Sequence, residues 1–272
     1  MSRPKTYTIN EEYFNTALNE RKAYFLGLVL SDGHLNYNRG SFQYACKKDD
    51  VELIEFIKKE LNSSHPIKEY KIKNRCYVRY NITNKKLVTS LIDFYKLPKL
   101  NKSSNNLTIP KNLKNEYLSH FLRGMFDGDG SIWKSDNYCF SYTGGYNMMN
   151  EIKTILSNIG IETSDIRFRY GKHNKNSCSF GTKGTLKVNK FGNYLYKNAT
   201  CFLKRKYDKF KDCEIRANKT NDNMFKLNGM EQKIKELYST GHSQKQISDE
   251  LNLVYSSVRC CIQRLRKNKE II

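Results

Sequence analysis

Two stretches of similar pattern constrain the fold more than any other feature of this chain. The first is YFLGLVLSDGHLN, residues 24–36, and the second is FLRGMFDGDGSIW, residues 121–133. Each is an apolar segment of helical length, and each ends in an Asp-Gly pair, Asp32–Gly33 and Asp129–Gly130. Such a recurrence predicts an internal repeat, in which two similar units are built around two similar helices.

The segments that follow each stretch have the same predicted order. After the first, alternating residues predict strands, and apolar spacing over residues 51–61 predicts a helix with Asp49 and Asp50 as N-cap candidates. After the second, two strands precede a helix that Gly160 ends. Each half is therefore predicted as helix–strand–strand–helix–strand–strand–helix, so the fold class is α+β with two αββαββα halves. We place the halves at residues 13–105 and 106–212.

Small residues recur at a four-residue spacing in both predicted motif helices. They are Gly27 and Ser31 in the first helix, and Gly124 and Gly128 in the second. Small residues at this spacing share a helix face and let two helix backbones approach closely. Since a helical glycine is otherwise unfavourable by roughly 1 kcal/mol relative to alanine, we expect the two helices to pack on each other. Gly33 and Gly130 are expected to end them as left-handed caps.

This packing would bring Asp32 and Asp129 together at the C-terminal ends of two helices. The helix ends add negative potential, so the two carboxylates are unfavourable neighbours unless a cation lies between them. Mg²⁺ takes oxygen ligands and keeps waters that can be activated. The chain has 48 Lys and Arg against 27 Asp and Glu, a net charge of +21, which favours a nucleic acid partner. Together these features predict hydrolysis of phosphodiester bonds in duplex DNA.

Other classes of protein are disfavoured by the sequence. No apolar run approaches the length of a membrane span, and the N-terminal segment lacks the apolar core of a signal peptide. The eight cysteines form no C-x-x-C pair and no paired Cys/His spacing typical of zinc sites. We therefore expect an intracellular, cytoplasmic protein that does not contact membranes.

Residues 226–272 differ from both halves. They predict three helices, of which the first ends at Gly241 and the second begins with Ser243 and Gln246 in a capping box. Two short helices joined by a tight turn after a longer one are typical of a helix-turn-helix DNA-binding domain. Its predicted DNA contacts are Arg259, Arg264 and Arg266, and residues 213–225 are the predicted linker. A small three-helix cap with a solvated basic face remains the alternative.

The paired motifs resemble a known family. FLGLVLSDG (25–33) and LRGMFDGDG (122–130) are similar to the two copies of the LAGLIDADG motif in single-chain homing endonucleases, and the resemblance covers roughly residues 15–212. It implies a pseudo-dyad between the halves, with motif helices at their interface and sheets that form a saddle over DNA. It also implies that Asp32 and Asp129 are the catalytic, metal-binding acids, with two or more Mg²⁺ ions near the pseudo-dyad.

The resemblance further implies roles for other side chains. Asp127 occupies the sixth motif position, where the first copy has Leu30, and we assign it a secondary role. Basic residues near the scissile phosphates are implied as catalytic groups, and the candidates are Lys204 and Lys206, with Lys99 and Lys102 at the corresponding point of the first half. We rank His34 below a metal-bound water as the activating group, because the second copy has Ser131 there.

Basic residues interleaved with tyrosines on the predicted strands favour contact with base edges and phosphates. The predicted DNA contacts on the sheets are Lys47, Lys71, Lys73, Arg75, Arg79, Arg167, Arg169 and Lys172, and Lys48 is a further candidate. A solvated sheet face is the alternative for this group of residues.

The predicted function is that of a monomeric, site-specific DNA endonuclease. It would use magnesium to make a staggered double-strand break in a long, partly asymmetric target, and so promote mobility of its encoding element, such as an intron. The rival is a regulator on a LAGLIDADG scaffold that binds DNA without cutting it. An RNA-splicing maturase is a third hypothesis, and the added helix-turn-helix argues against it.

Overall fold

A computed structural model describes residues 6–97, 107–168, 177–268 and 270–271. The chain divides into two compact units, Met1–Phe210 and Lys211–Ile272. The larger unit contains both predicted halves, so the repeat forms one folded body.

The first half has the predicted order of elements. They are α1 (Glu20–Ser31), β1 (Gly33–Asn36), β2 (Ser41–Lys47), α2 (Val51–Glu60), β3 (Ile67–Ile72), β4 (Arg75–Thr83) and α3 (Lys85–Tyr95).

The second half repeats that order. Its elements are α4 (Leu118–Asp129), β5 (Ser131–Lys134), β6 (Tyr138–Gly145), α5 (Tyr146–Asn158), β7 (Arg167–Phe168), β8 (Ser177–Lys183) and α6 (Thr185–Tyr196). The predicted α+β class with two αββαββα halves is confirmed.

Each half forms one four-stranded antiparallel sheet. The strand orders are β1-β2-β4-β3 and β5-β6-β8-β7, so the two sheets have the same topology. Tyr44 on β2 lies opposite Tyr80 on β4, and Tyr142 on β6 lies opposite Phe180 on β8. Tyr44 and Tyr142 therefore occupy equivalent positions in the two halves.

The centre of the larger unit is the packing of α1 against α4. Residues 22–30 of α1 and 121–127 of α4 are all buried. A helix that is apolar nearly all round is stable only in an interior, and these two helices bury one another as well as the sheets beside them. Asn19 caps α1 by accepting a hydrogen bond from the Lys22 backbone N–H.

Two predictions about helix ends are wrong. Gly130 has an extended backbone, and Gly33, like Gly130, is not among the glycines with positive φ. Both glycines are instead required by close packing, because a Cβ on Gly33 would lie 2.6 Å from the Val29 carbonyl oxygen and one on Gly130 would lie 2.3 Å from the Phe126 ring. The Asp50 side chain does not cap α2, because Arg205 binds its carboxylate in bidentate fashion at 2.5 and 2.8 Å.

The C-terminal part of the chain is helical. α7 runs from Lys204 to Ser239 and includes residues 213–225, the predicted linker. α8 (Gln244–Glu250) and α9 (Tyr255–Lys267) follow, and the predicted capping box of Ser243 and Gln246 is present. The core of the smaller unit is formed by Ile234, Ile247, Val258, Cys261, Ile262 and Leu265. No helix in the described residues is long and apolar enough to cross a membrane.

Candidate functional site

The structure places the small residues of α1 and α4 against each other. A Cβ on Gly124 would lie 2.2 Å from the Tyr24 carbonyl oxygen and 3.0 Å from Gly27 Cα, and one on Gly27 would lie 2.3 Å from the Phe121 carbonyl oxygen. No real Cβ has room at such distances, so these backbones are in direct contact. Toward the C-terminal ends of the helices, Gly128 packs on the Ser31 side chain.

The same contact brings the two motif acids to one place. Asp32 follows the last residue of α1, and its backbone N–H bonds to the Leu28 carbonyl oxygen. Its Oδ2 lies 3.2 Å from the position that a Cβ on Gly128 would take, and Gly128 directly precedes Asp129, the last residue of α4. Asp32 is exposed and Asp129 is partly exposed, so both carboxylates can be reached from outside the core.

This pair of carboxylates fits a magnesium ion. Mg²⁺ is bound in many enzymes by one or two carboxylates, with waters and substrate phosphates completing its coordination. Among the residues that the structure describes, no three His, Cys, Asp or Glu side chains cluster in a way that could hold a metal ion. Asp32 and Asp129 offer two carboxylates, which suits a cation that completes its coordination with other oxygen ligands.

Asp127, beside the site, has a buried carboxylate that accepts several hydrogen bonds. Its carboxylate is 1% exposed and accepts hydrogen bonds from the Tyr24 hydroxyl at 2.7 Å, the Tyr196 hydroxyl at 3.0 Å and the Leu203 N–H at 2.8 Å. Burial raises the pKa of the Asp127 carboxyl, while Lys206 and these donors act in the opposite direction. Asp127 thus ties α1, α6 and the chain before α7 to the end of α4.

Lys206 is buried and does not reach toward solvent. It is 2% exposed, and its Nζ donates to the carbonyl oxygens of Phe126, Asp127 and Gly130 at 2.5, 2.9 and 2.6 Å. Burial lowers the pKa of Lys206 to about 8. Its ammonium group bonds to carbonyls at the C-terminal end of α4, which is the end that carries Asp129.

The other predicted catalytic lysines are placed differently. The Lys204 ammonium is exposed and pairs with Asp208 at 2.6 Å, which is its neighbour one helical turn along α7. Lys99 and Lys102 lie outside the described residues.

The first sheet has one buried face and one polar face. Phe42, Tyr44, Val78 and Tyr80 are on the buried side. The strand register puts the opposite set of side chains together on the other face, and this basic face contains Gln43, Lys47, Lys68, Tyr70, Arg75, Tyr77, Arg79 and Asn81. The Arg79 guanidinium lies over the Tyr70 ring at 4.7 Å, and Tyr70 stacks on Tyr77.

Three of the predicted contacts, Lys47, Arg75 and Arg79, are on this basic face, and two are not. Lys71 lies opposite Cys76, so it points to the side of Val78 rather than to that of Arg79. Strand alternation is the physical reason, since neighbouring residues point to opposite faces. Lys73 is in the turn between β3 and β4, with φ of +52°.

The second sheet has fewer cations among the described residues of the equivalent face. Ser141, Thr143, Ser179 and Gly181 share this face with Trp133 and Lys183, and Arg167 lies opposite Ser179. Arg169 and Lys172 lie outside the described residues. In the described residues the two sheets therefore offer unlike surfaces.

In the smaller unit, two of the three predicted arginines make local contacts. Arg264 pairs with Glu231 at 2.6 Å, and Arg266 lies over the Tyr238 ring and bonds to its hydroxyl. Arg259 is exposed on α9, as is Gln263 one turn further along.

Sequence reasoning missed several of these residues. Lys68, Tyr70 and Asn81 could have been found by following the alternation from Arg79. The network around Asp127 had no local signal, because its members are separated by tens of residues in the chain. Tyr44, whose buried hydroxyl has no hydrogen-bond partner in the described residues, also had none.

The repeated halves, the glycine-lined helix pair and the two acids at its end define a LAGLIDADG-type fold. Residues 116–198 match the family model described as a LAGLIDADG-like domain. The search of curated proteins found no match.

Solved structures share this fold at low sequence identity. One is the LAGLIDADG homing endonuclease I-GzeII in complex with its DNA target, with 17% identity, 76% of this chain and 92% of that chain covered, and a TM-score of 0.50. Another is the meganuclease I-SmaMI bound to uncleaveable DNA, with 16% identity, 76% and 91% covered, and a TM-score of 0.50. At these identities the likeness establishes the fold of the chain.

Proposed function

We propose that this protein is a site-specific DNA endonuclease that uses magnesium to make a staggered double-strand break. The single observation that carries the proposal is the meeting of Asp32 and Asp129 at the ends of two helices in backbone contact. Two carboxylates at adjoining helix ends, both reachable from outside the core of a chain of net charge +21, fit a cation held between protein and phosphate.

The chain supplies position and charge for this reaction. A bound divalent ion would lower the pKa of its water and stabilise the charge that develops on the phosphate oxygens. Asp32 and Asp129 would hold that ion, and the rigid helix contact fixes the spacing of the two acids. Lys206 neutralises the carbonyl end of α4 and so reduces the negative potential against which Asp129 must remain ionised.

The sheets supply the binding surface. The basic face of the first sheet combines cations with Gln and Asn side chains, which can bond to base edges in the major groove. We propose that the second sheet and the smaller unit add contacts to phosphates, with Arg259 and Gln263 of α9 as the residues of a helix-turn-helix that face DNA. The relatives I-GzeII and I-SmaMI are bound to DNA in their structures, which supports this assignment.

The biological role that follows is mobility of the element that encodes the protein. Cutting an allele that lacks the element would allow repair to copy it there. The natural substrate is then the uninterrupted insertion site of the element, a long and partly asymmetric duplex bound by a single chain.

The test uses that duplex with and without Mg²⁺, and the ends are mapped on both strands. The wild-type protein should cut both strands at a fixed offset only when metal is present. Asp32→Asn and Asp129→Asn should lose cleavage while they keep DNA affinity within a few-fold of wild type. Asp93→Asn, which changes an exposed acid on α3, is the matched control and should cut normally.

Two outcomes would contradict the proposal. Unchanged cutting by either Asn variant would remove the acids from the chemistry. Tight, metal-independent binding of the duplex with no cutting by the wild-type protein would favour the non-cleaving DNA-binding regulator.

A further inference from the structure

The only tryptophan of the chain, Trp133, lies on β5 in the second sheet. The neighbouring Ile132 lies opposite Phe140, and both are buried. Because successive residues of a strand point to opposite faces, Trp133 points away from this core, to the face that contains Ser141 and Arg167. It is 44% exposed. The second sheet therefore presents a large indole ring to solvent on a face whose other described side chains are mostly small.

The equivalent position of the first sheet has a polar residue with a local role. Trp133 lies opposite Cys139 in the same way that Asn36 lies opposite Ser41. The Asn36 side chain accepts a hydrogen bond from the Arg39 backbone N–H at 2.9 Å, in the turn between β1 and β2. An indole cannot accept such a bond. Its partly exposed apolar surface is instead available to a bound partner.

Trp133 is close along the chain to the acid of the second half. Asp129 ends α4, Gly130 is extended and β5 begins at Ser131. Four residues of extended chain span at most about 13 Å, which is about the height of four stacked base pairs. If the bond to be cut lies at Asp129, a base that Trp133 touches lies within about five base pairs of it.

The chemistry of the major groove limits what an indole can recognise there. Base edges in this groove carry hydrogen-bond donors and acceptors, and the apolar group among them is the C5-methyl of thymine. Arginine, asparagine and glutamine read guanine or adenine through two hydrogen bonds at once. An indole has a single N–H donor and a broad apolar face, so the base contact that fits it is an apolar one with the thymine methyl.

We propose that Trp133 is a specificity-determining residue whose ring packs on the methyl group of one thymine in the major groove. The inference rests on the proposed endonuclease function, which puts this face of the second sheet against DNA, and it adds the identity of one base. Asn36 offers no equivalent apolar contact, so the preference belongs to the half of the target that the second sheet binds. A target without a thymine within about five base pairs of the cut on that side would contradict it.

The experiment removes single methyl groups from the DNA. In the uninterrupted insertion-site duplex, each thymine near the cut is replaced in turn by deoxyuridine, which lacks only the methyl, and affinity is measured by fluorescence anisotropy without Mg²⁺. Wild type should bind about 4-fold more weakly at one such position, as expected for losing one buried methyl. 5-Bromodeoxyuridine there, with bromine in place of the methyl, should restore the affinity.

Three variants of the full chain complete the experiment. Trp133→Ser should bind the thymine duplex at least about 4-fold more weakly and should no longer distinguish thymine from deoxyuridine. Trp133→Phe, which keeps an apolar ring but has no N–H, should still distinguish them. Phe168→Ser is the matched control, because Phe168 is also 44% exposed but lies opposite the buried Cys178, on the other side of the same sheet. It should keep the wild-type ratio, and Trp133→Ser should keep the wild-type melting temperature.

Each result decides between the hypotheses. A deoxyuridine scan without effect on the wild-type protein would overturn the role of Trp133, as would a thymine preference that persists in Trp133→Ser. Loss of the preference in Trp133→Phe would show that the N–H, and not the apolar ring, makes the contact, and would also overturn it. If the wild-type protein binds the duplex without cutting it in Mg²⁺, the endonuclease proposal fails, and the deoxyuridine scan still decides the role of Trp133.

Discussion

The two halves of the larger unit have the same elements and the same terminal acid, but they support that acid differently. In the second half, Asp127 and Lys206 form a buried polar network behind Asp129. The first half has Leu30 at the position of Asp127, and that side chain lies in an apolar core. The first half instead has Tyr44 opposite Gly33 in the sheet, and its buried hydroxyl has no hydrogen-bond partner among the described residues.

This comparison distinguishes the residues that recur in both halves from the supporting residues that differ between them. The proposed reaction acts on the same phosphate chemistry in both strands of a duplex, which explains why the acid and the glycine-lined helix recur in both halves. The residues behind the acid need only hold the helix end in place, and an ionic network or an apolar core can each do so. The same reasoning applies to the sheets, where one face is basic and the other, among the described residues, has mostly small side chains with Arg167 and Lys183 as its cations.

The largest effect is expected from making the second half like the first with Asp127→Leu. Lys206 would stay buried without its carboxylate neighbour, and the Tyr24, Tyr196 and Leu203 donors would lose their acceptor. Leaving these three buried donors without an acceptor should cost about 4 kcal/mol, measurable by urea denaturation. Leu30→Met is the matched control and should change stability by less than about 1.5 kcal/mol. Equal effects of the two variants would show that the network adds nothing.

A somewhat smaller effect is expected from the feature that both halves share. Gly27→Ala and Gly124→Ala each place a Cβ against the backbone of the opposite helix, so each should lower the unfolding free energy by about 3 kcal/mol. Gly229→Ala is the control, because that helical glycine has open space around it and alanine should stabilise α7 by about 1 kcal/mol. A tolerated alanine at either Gly27 or Gly124 would contradict the close backbone contact.

The burial of the Lys206 ammonium group predicts that the free energy of unfolding depends on pH. In the folded protein the pKa of Lys206 is about 8, whereas in the unfolded chain a lysine pKa is about 10.4. Above pH 8 the unfolded state binds more protons than the folded state, so stability should rise with pH. From pH 8 to pH 9.5 the gain of wild type over Lys206→Met should be roughly 1–2 kcal/mol. A flat difference between the two denaturation series would mean that Lys206 stays charged.

The smallest effects are expected from substitutions on the sheets, and the quantity that they change is the affinity for DNA. Arg79→Ala should weaken DNA binding about 10-fold and reduce the salt dependence by about one counterion. Arg167→Ala should have a weaker effect of about 3-fold, because the side chains described beside it on that face are small, and Lys183 is the other described cation there. Lys71→Ala is the control on the opposite side of the first sheet. A loss of affinity in Lys71→Ala as large as in Arg79→Ala, measured by fluorescence anisotropy at two salt concentrations, would contradict the face assignment.

Much of the fold could be predicted because its signals are local. Apolar periodicity located α1 and α4, alternation located most strands, and the Ser243–Gln246 spacing predicted the capping box that the structure contains. The helix-end predictions at Gly33 and Gly130 were wrong because a glycine can serve either a left-handed turn or a close contact, and the sequence is the same in both cases. Lys71 was assigned to the wrong face because composition was weighed without the register.

By itself the sequence determined the repeat, the position of the two acids in it and the excess of positive charge, since each depends on residue order alone. Only the tertiary structure decided which polar groups are buried and with whom they pair. Lys206 donates to backbone carbonyls, Asp50 pairs with Arg205, and the buried Tyr44 hydroxyl has no partner among the residues that the structure describes. These outcomes depend on contacts between residues far apart in the chain, and such contacts exist only once the helices and sheets have packed.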